Sequence, residues 1–119
     1  MFRAISLLFS GLFLAACGSS SDTGEAAFAA VKEGALLVDV RTAQEFAGGH
    51  LPGAINIPHG DIVAGIKALG ADKAADIVLY CRSGNRSGIA AGSLAGAGYT
   101  GAVNAGAFSA LKPAWDAGG

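Results

Sequence analysis

The cysteine Cys81 lies between a run of apolar residues and a short loop that contains glycine and arginine. The preceding segment Ile77–Tyr80 is typical of a buried strand, and the segment Ile89–Ala95 is typical of a helix. Cys81 therefore stands at the carboxyl end of a strand, where open α/β sheets bind ligands. Backbone N–H groups of such a loop can converge on an anion, and the same field favours a thiolate over a thiol. We expect Cys81 to act as a nucleophile.

The loop after Cys81 supplies the residues that we expect to bind a substrate. These candidates are Arg82, Ser83, Gly84, Asn85, Arg86 and Ser87. Gly84 allows a backbone conformation that a larger residue resists, and the two arginines add positive charge for an anionic donor. Ser87 is also the predicted N-cap of the helix that follows. The loop is thus predicted to bind a small anion beside the thiol.

Strands and helices alternate along the rest of the chain, which must position this loop. Strands are predicted over residues 35–40, 54–57, 76–80 and 101–104, and helices over residues 25–33, 43–47, 61–69, 89–98 and 107–115. Thr42 and Glu45 form a predicted capping box at the start of the second helix, and Pro113 is expected to break the last one. The alternation predicts an α/β fold, with a small parallel sheet flanked by helices on both faces.

The start of the chain has the pattern of a targeting segment. Residues 1–16 combine one positive charge with an apolar run that is too short to span a membrane, as in a secretory signal peptide. The segment Leu14–Cys17 resembles a bacterial lipobox, which implies cleavage before Cys17 and lipidation of that residue. Residues 17–24 are then a flexible tether, and residues 25–119 the folded domain. The expected location is the periplasmic side of the cell envelope, with the outer membrane favoured.

Composition and charge exclude several classes of protein. Eight basic against nine acidic residues give a formal charge of −1, which offers no basic excess for nucleic acid. Two cysteines, one of them expected to carry lipid, exclude a disulfide scaffold. Two histidines and one free cysteine lack the spacing of metal ligands, and Gly84–Gly88 lacks the lysine of a nucleotide-binding P-loop. We expect one small domain, monomeric, without metal or cofactor.

Several segments together resemble the single-domain rhodaneses, a family of sulfurtransferases. The segments are Leu37–Arg41, Glu45–Phe46 with Gly49–Pro58, Val78–Ser87 and Val103–Gly106, so the resemblance covers nearly all of the chain after residue 24. It implies a rhodanese-like fold and a sulfur relay. The Cys81 thiolate would take sulfur from a donor such as thiosulfate, become a persulfide, and pass the sulfur to cyanide or a thiol.

The resemblance also bears on residues outside the loop. Asp39 and Arg41 follow the first strand and are expected to order the loops around the site through hydrogen bonds or an ion pair. His50, before a Leu-Pro-Gly turn, is expected to be a structural hydrogen-bonding residue rather than a general base. The chain departs from the family at Ala107, where a second glycine is usual, and this bears on the shape of the active loop.

Two other functions fit parts of the same pattern. A cysteine phosphatase or arsenate reductase also uses a cysteine, a loop of N–H groups and an arginine, but has five residues between cysteine and arginine. Here four residues separate Cys81 from Arg86, and by family comparison the shorter loop suits a single sulfur atom. A sulfur carrier or binding module of the rhodanese fold would load sulfur without turning it over repeatedly.

Overall fold

A parallel four-stranded sheet forms the centre of the molecule. The computed structural model describes residues 20–118, which contain the strands β1 (Leu36–Asp39), β2 (Ile55–Asn56), β3 (Asp76–Cys81) and β4 (Gly101–Ala107). Their order is β2-β1-β3-β4, and each neighbouring pair is parallel. Because all strands run the same way, their carboxyl ends meet at one edge of the sheet.

Helices cover both faces of this sheet. They are α1 (Ser20–Lys32), α2 (Ala43–Ala47), α3 (Ile62–Ala68), α4 (Asn85–Gly96) and α5 (Phe108–Gly118), with a 3₁₀ turn at His59–Asp61 before α3. One buried cluster joins the sheet to α3 and α4, and a second joins it to α1 and α5. The predicted fold class, a parallel sheet flanked by helices on both faces, is confirmed.

The central strand β3 shows why its sequence is apolar without alternation. Ile77, Leu79 and Cys81 belong to the cluster with α3 and α4, whereas Val78 and Tyr80 belong to the cluster with α1 and α5. Successive side chains of a strand point to opposite faces, so a strand covered on both faces must be apolar at every position. Burial on both faces of β3 fixes the position of Cys81 at the carboxyl edge of the sheet.

The first helix begins earlier than the sequence predicts. It starts at Ser20 instead of Glu25 and ends before Gly34, whose φ of +111° reverses the chain. Gly24 is buried, and a Cβ atom there would contact Ala110 and Ala114 of α5. Packing against α5 thus extends the helix into the segment predicted as a tether. Cys17 and residues 1–16 lie outside the described residues.

The last helix corrects a second expectation. Pro113 lies inside α5 and does not break it. A residue at this position would donate to the carbonyl of Ser109, and both Ser109 and Pro113 are exposed, where water replaces the missing donor. On the other side of α5, Leu111 and Trp115 are buried against the sheet. Their burial holds the helix together across the proline.

The predicted capping box at α2 is confirmed: Thr42 accepts from the amide of Glu45, and the Glu45 carboxylate accepts from the amide of Thr42. Among residues 20–118, none of the helices has the length and apolar character needed to cross a bilayer.

Candidate active site

Cys81 lies at the carboxyl end of β3 with its side chain enclosed by the loop that follows. Its Sγ accepts hydrogen bonds from the amide of Gly84 at 3.0 Å and from the amide of Ser87 at 3.4 Å. The hydroxyl of Ser87 lies at 3.4 Å from the same sulfur. The loop therefore directs three hydrogen-bond donors at one sulfur atom, an arrangement that stabilises negative charge there.

The balance of these contacts favours the thiolate. Burial raises the pKa of the Cys81 thiol, but hydrogen bonds from the Ser87 hydroxyl and from the amides of Ser87, Ser83 and Gly84 outweigh it. The pKa of the thiol consequently lies below its ordinary value. A larger share of Cys81 is then ionised near neutral pH, which is what a cysteine nucleophile requires.

Gly84 gives the loop its shape. Its φ of +94° lies in the left-handed region, and a Cβ atom at this position would lie 3.4 Å from the Cα of Gly106. Gly84 is also the residue that caps α4, so the sequence prediction of Ser87 as N-cap is wrong. Ser87 lies within the first turn of α4 and is fully buried, because its side chain points back to the sulfur and to the sheet.

The other candidates in the loop lie at its outer surface. Ser83 and Asn85 are exposed, with the Asn85 amide 3.5 Å from the Ser83 hydroxyl. The Arg82 side chain is 80% exposed, and its guanidinium is 3.8 Å from Glu45. Arg82 is the charged residue among these three, and its charge is open to solvent beside Cys81.

The second loop arginine is paired within the protein. Arg86 donates two hydrogen bonds to the Glu45 carboxylate, at 2.8 and 3.1 Å. These bonds from Arg86, with those from Thr42, lower the pKa of Glu45 to about 2. The ion pair joins α2 to the first turn of α4. It offsets the positive charge of Arg86, which the sequence predicts would bind an anion.

Asp39 and Arg41 form a buried ion pair under the same edge of the sheet. Arg41 donates to Asp39 from its backbone amide at 2.9 Å and from its guanidinium at 2.6 to 3.1 Å. The guanidinium also donates to the carbonyl of Gly49 at 2.7 Å. The pair therefore connects the end of β1 to the loop that follows α2.

His50 lies on the outer side of that loop. Its Nδ1 is 2.8 Å from the carbonyl of Phe46, and its ring stacks on the Phe46 ring at 3.6 Å. Deeper inside, the Tyr80 hydroxyl accepts from the amide of Leu51 at 3.0 Å. These contacts of His50 and Tyr80 hold the loop between α2 and β2.

A cleft of about 530 Å³ lies beside the loop, between α2 and the start of α5. Arg82 and Glu45 line it on one side and Phe108 and Ser109 on the other. The guanidinium of Arg41 packs over the Phe108 ring, 4.7 Å from its centroid. The cleft gives a small polar molecule access to the side of the loop on which Arg82 lies.

Asn104 on β4 is a polar contact of the loop that residue-by-residue sequence reasoning did not single out. Its Oδ1 lies 2.7 Å from the Ser87 hydroxyl and accepts from the amide of Gly106 at 3.0 Å. Its Nδ2 donates to the carbonyl of Gly84 at 3.1 Å. The signal in the sequence was the segment Val103–Gly106, which contains Asn104 and carries part of the family resemblance.

The described residues show one thiol and no metal cluster. Cys81 is a free cysteine, and Cys17 lies outside residues 20–118. Within that range no group of three histidine, cysteine, aspartate or glutamate side chains could hold a metal ion.

A parallel sheet with a cysteine loop at its carboxyl edge agrees with the comparison to known families. The sequence model of the rhodanese-like domain matches residues 22–113, and the chain belongs to this family. Several relatives of the chain are named sulfurtransferases.

The chain is 39% identical over 69 residues to the thiosulfate sulfurtransferase GlpE of Pseudomonas putida, covering 58% of this chain and 61% of that protein. It is 38% identical over 69 residues to the thiosulfate sulfurtransferase PspE of Escherichia coli, covering 58% of this chain and 66% of that protein. The chain thus spans less than two thirds of either relative. Among solved structures, a rhodanese with anions from E. coli superposes with a TM-score of 0.60 at 35% identity, covering 63% of this chain and 88% of the other.

Proposed function

We propose that this protein is a rhodanese-type sulfurtransferase that moves one sulfur atom through a persulfide on Cys81. The observation that carries the proposal is the convergence of the Gly84 amide, the Ser87 amide and the Ser87 hydroxyl on one sulfur. Such donors stabilise the thiolate before the reaction and the terminal sulfur anion after it. Family membership supports the same reaction class.

With thiosulfate as donor, the reaction balances in two steps. The Cys81 thiolate attacks the outer sulfur of thiosulfate, the sulfur–sulfur bond breaks, and sulfite leaves with the bonding electron pair. Cys81 is then a persulfide anion. Cyanide or a thiolate attacks the terminal sulfur, forms thiocyanate or a new persulfide, and the Cys81 thiolate leaves unchanged.

An anionic donor suits the entrance to the loop. Arg82 is 80% exposed beside Cys81 and lines the neighbouring cleft. The two related sulfurtransferases carry thiosulfate in their names, and the similar E. coli structure is described as a rhodanese with anions. These observations favour a small anionic sulfur donor for this chain as well.

Steady-state release of thiocyanate from thiosulfate and cyanide tests the proposal. We expect repeated turnover by the wild-type protein and none by Cys81→Ser, because serine keeps the shape of the side chain without its sulfur. Ser93→Ala, an exposed change on the same helix, should keep full activity. Loading of sulfur without repeated turnover would assign a carrier role instead, and phosphate release from an aryl phosphate would assign a phosphatase.

We also propose that the domain works on a lipid anchor at Cys17, facing the bacterial periplasm. The support is the pattern of residues 1–17, which resembles a lipoprotein signal peptide. Metabolic labelling with a palmitate analogue should mark the wild-type protein and not Cys17→Ser. Equal labelling of both proteins would contradict the anchor.

A further inference from the structure

Asn104 contacts the loop around Cys81 through both ends of its carboxamide. The amide nitrogen donates to the carbonyl of Gly84 at 3.1 Å, and the carbonyl oxygen accepts from the amide of Gly106 at 3.0 Å. These two bonds fix which end of the side chain is oxygen, since only the nitrogen can donate. The oxygen is therefore the atom that lies 2.7 Å from the hydroxyl of Ser87.

The hydroxyl of Ser87 faces two acceptors with only one proton to donate. One acceptor is Oδ1 of Asn104 at 2.7 Å and the other is Sγ of Cys81 at 3.4 Å. While Cys81 is a neutral thiol, the hydroxyl donates to Asn104 and can accept from the S–H group. When the sulfur carries charge, the hydroxyl can turn to it, because the Gly106 amide still satisfies Oδ1.

We propose that Asn104 is a positioning residue for sulfur transfer, which holds the Ser87 hydroxyl beside Cys81 and accepts its proton until the sulfur becomes charged. The inference rests on the proposed function in that the thiolate is the working form of Cys81. Asn104 does not contact the sulfur in this arrangement; it acts through the Ser87 hydroxyl. A Cβ atom at Gly84 would lie 3.4 Å from the Cα of Gly106, which shows how closely β4 approaches the loop.

The acidity of the thiol reports on this role without requiring turnover. The charged groups around the loop are Arg82 and Arg86 on the loop itself, Glu45 on α2, and Arg41 after β1. All four remain in place when Asn104 or Ser87 is replaced. A shift in the thiol pKa of a folded variant therefore reports the hydrogen bonds to the sulfur and not a change in charge.

The test is the pH dependence of iodoacetamide alkylation of Cys81 in the purified full chain. For Ser87→Ala we expect the thiol pKa to rise by about one unit, the scale of one lost hydrogen bond to a charged group. For Asn104→Ala we expect the thiol pKa to fall, because the Ser87 hydroxyl then has the sulfur as its remaining acceptor. The double variant should keep the rise of Ser87→Ala, because Asn104 acts on the sulfur through that hydroxyl.

The matched control is Ser93→Ala, which removes an exposed hydroxyl from the same helix and should leave the thiol pKa unchanged. An unchanged or raised thiol pKa in folded Asn104→Ala, or the same fall when Asn104→Ala is added to Ser87→Ala, would overturn the proposal. Thiocyanate release is measured in parallel. If the wild-type protein does not transfer sulfur but the thiol pKa shifts as expected, the proposed function fails and the positioning role stands.

Discussion

The pairing of Arg86 with Glu45 changes how the charge of the active loop is understood. From the sequence, two arginines beside a cysteine predict a doubly cationic site. In the structure the Glu45 carboxylate takes both hydrogen bonds from Arg86, and Arg82 keeps the more exposed charge. Spacing along the chain could not show this, because Glu45 lies 41 residues before Arg86 and meets it only through the fold.

Replacing Arg86 with alanine should weaken the use of thiosulfate, because the Glu45 carboxylate beside the anion site would lose its two hydrogen bonds from Arg86. We expect kcat/KM for thiosulfate to fall about tenfold, or about 1.4 kcal/mol. Adding Glu45→Gln to Arg86→Ala should restore most of that loss. An unchanged kcat/KM in Arg86→Ala would refute this role for the ion pair.

Glu45 also predicts how stability responds to acid. Its pKa in the folded protein is lowered to about 2, against about 4.3 in an unfolded chain. The lowered pKa stabilises the fold at pH values above the pKa of Glu45 in the unfolded chain. This stabilisation is lost as the pH falls through the pKa of Glu45 in the folded protein. Between about pH 5 and pH 2 the wild type should therefore lose more stability than Glu45→Gln. Urea unfolding between about pH 5 and pH 2 measures this difference in stability. The control is Glu33→Gln, an exposed change at the end of α1. If the stability of wild type and of Glu45→Gln fell in parallel with pH, the prediction would be contradicted.

At the scale of elements, the turn between β3 and α4 depends on Gly84. A side chain at its φ of +94° is strained by about 1–2 kcal/mol. Gly84→Ala should therefore destabilise the protein by about that amount and slow alkylation of Cys81 at neutral pH, since the Gly84 amide is one of the donors to the sulfur.

Gly92 in the same helix provides the matched control. It is exposed, and nothing lies within 4 Å of a Cβ atom built there. Gly92→Ala should stabilise the protein by about 0.5–1 kcal/mol and leave alkylation unchanged. Equal effects of the two substitutions on stability would contradict the conformational argument.

The elements themselves were largely predictable from the sequence, whereas some contacts at their ends were not. Hydrophobic runs and the Thr42–Glu45 capping box gave the strands and α2, because these signals are local. The start of α1 and the persistence of α5 through Pro113 depend on packing between those two helices and the sheet. The prediction of Ser87 as the helix cap is wrong because its hydroxyl makes tertiary contacts. A serine before a helix otherwise indicates an N-cap, and the sequence does not show such contacts.

At the scale of the whole molecule, the two helical layers hold the sheet from both sides. On the side of α1 and α5, Trp115 is 5% exposed and packs edge-on against Phe28 with ring centroids 5.0 Å apart. Trp115→Ala should lower the free energy of unfolding by about 3–5 kcal/mol, measured by urea denaturation. Trp115→Phe should lose less, since it keeps an aromatic ring. A loss below about 1 kcal/mol for the alanine variant would contradict the importance of this layer.

The site, in turn, is a product of the whole fold. Cys81 and its loop could be found from the sequence because they are contiguous, and the family resemblance followed from motifs along the chain. Asn104 enters the site only because β4 pairs with β3, and its two contacts with Gly84 and Ser87 could not be deduced from spacing. The local motif identifies the nucleophile, whereas the order of the strands determines which residue of the neighbouring strand contacts its loop.

The central claim is that Cys81 carries sulfur as a persulfide between a donor and an acceptor. The most direct measurement is the intact mass of the purified protein before thiosulfate, after it, and after subsequent cyanide. We predict a gain of one sulfur atom, located on Cys81 and absent in Cys81→Ser, that cyanide removes. A wild-type protein that gains no sulfur, or a gain that cyanide does not remove, would contradict the claim.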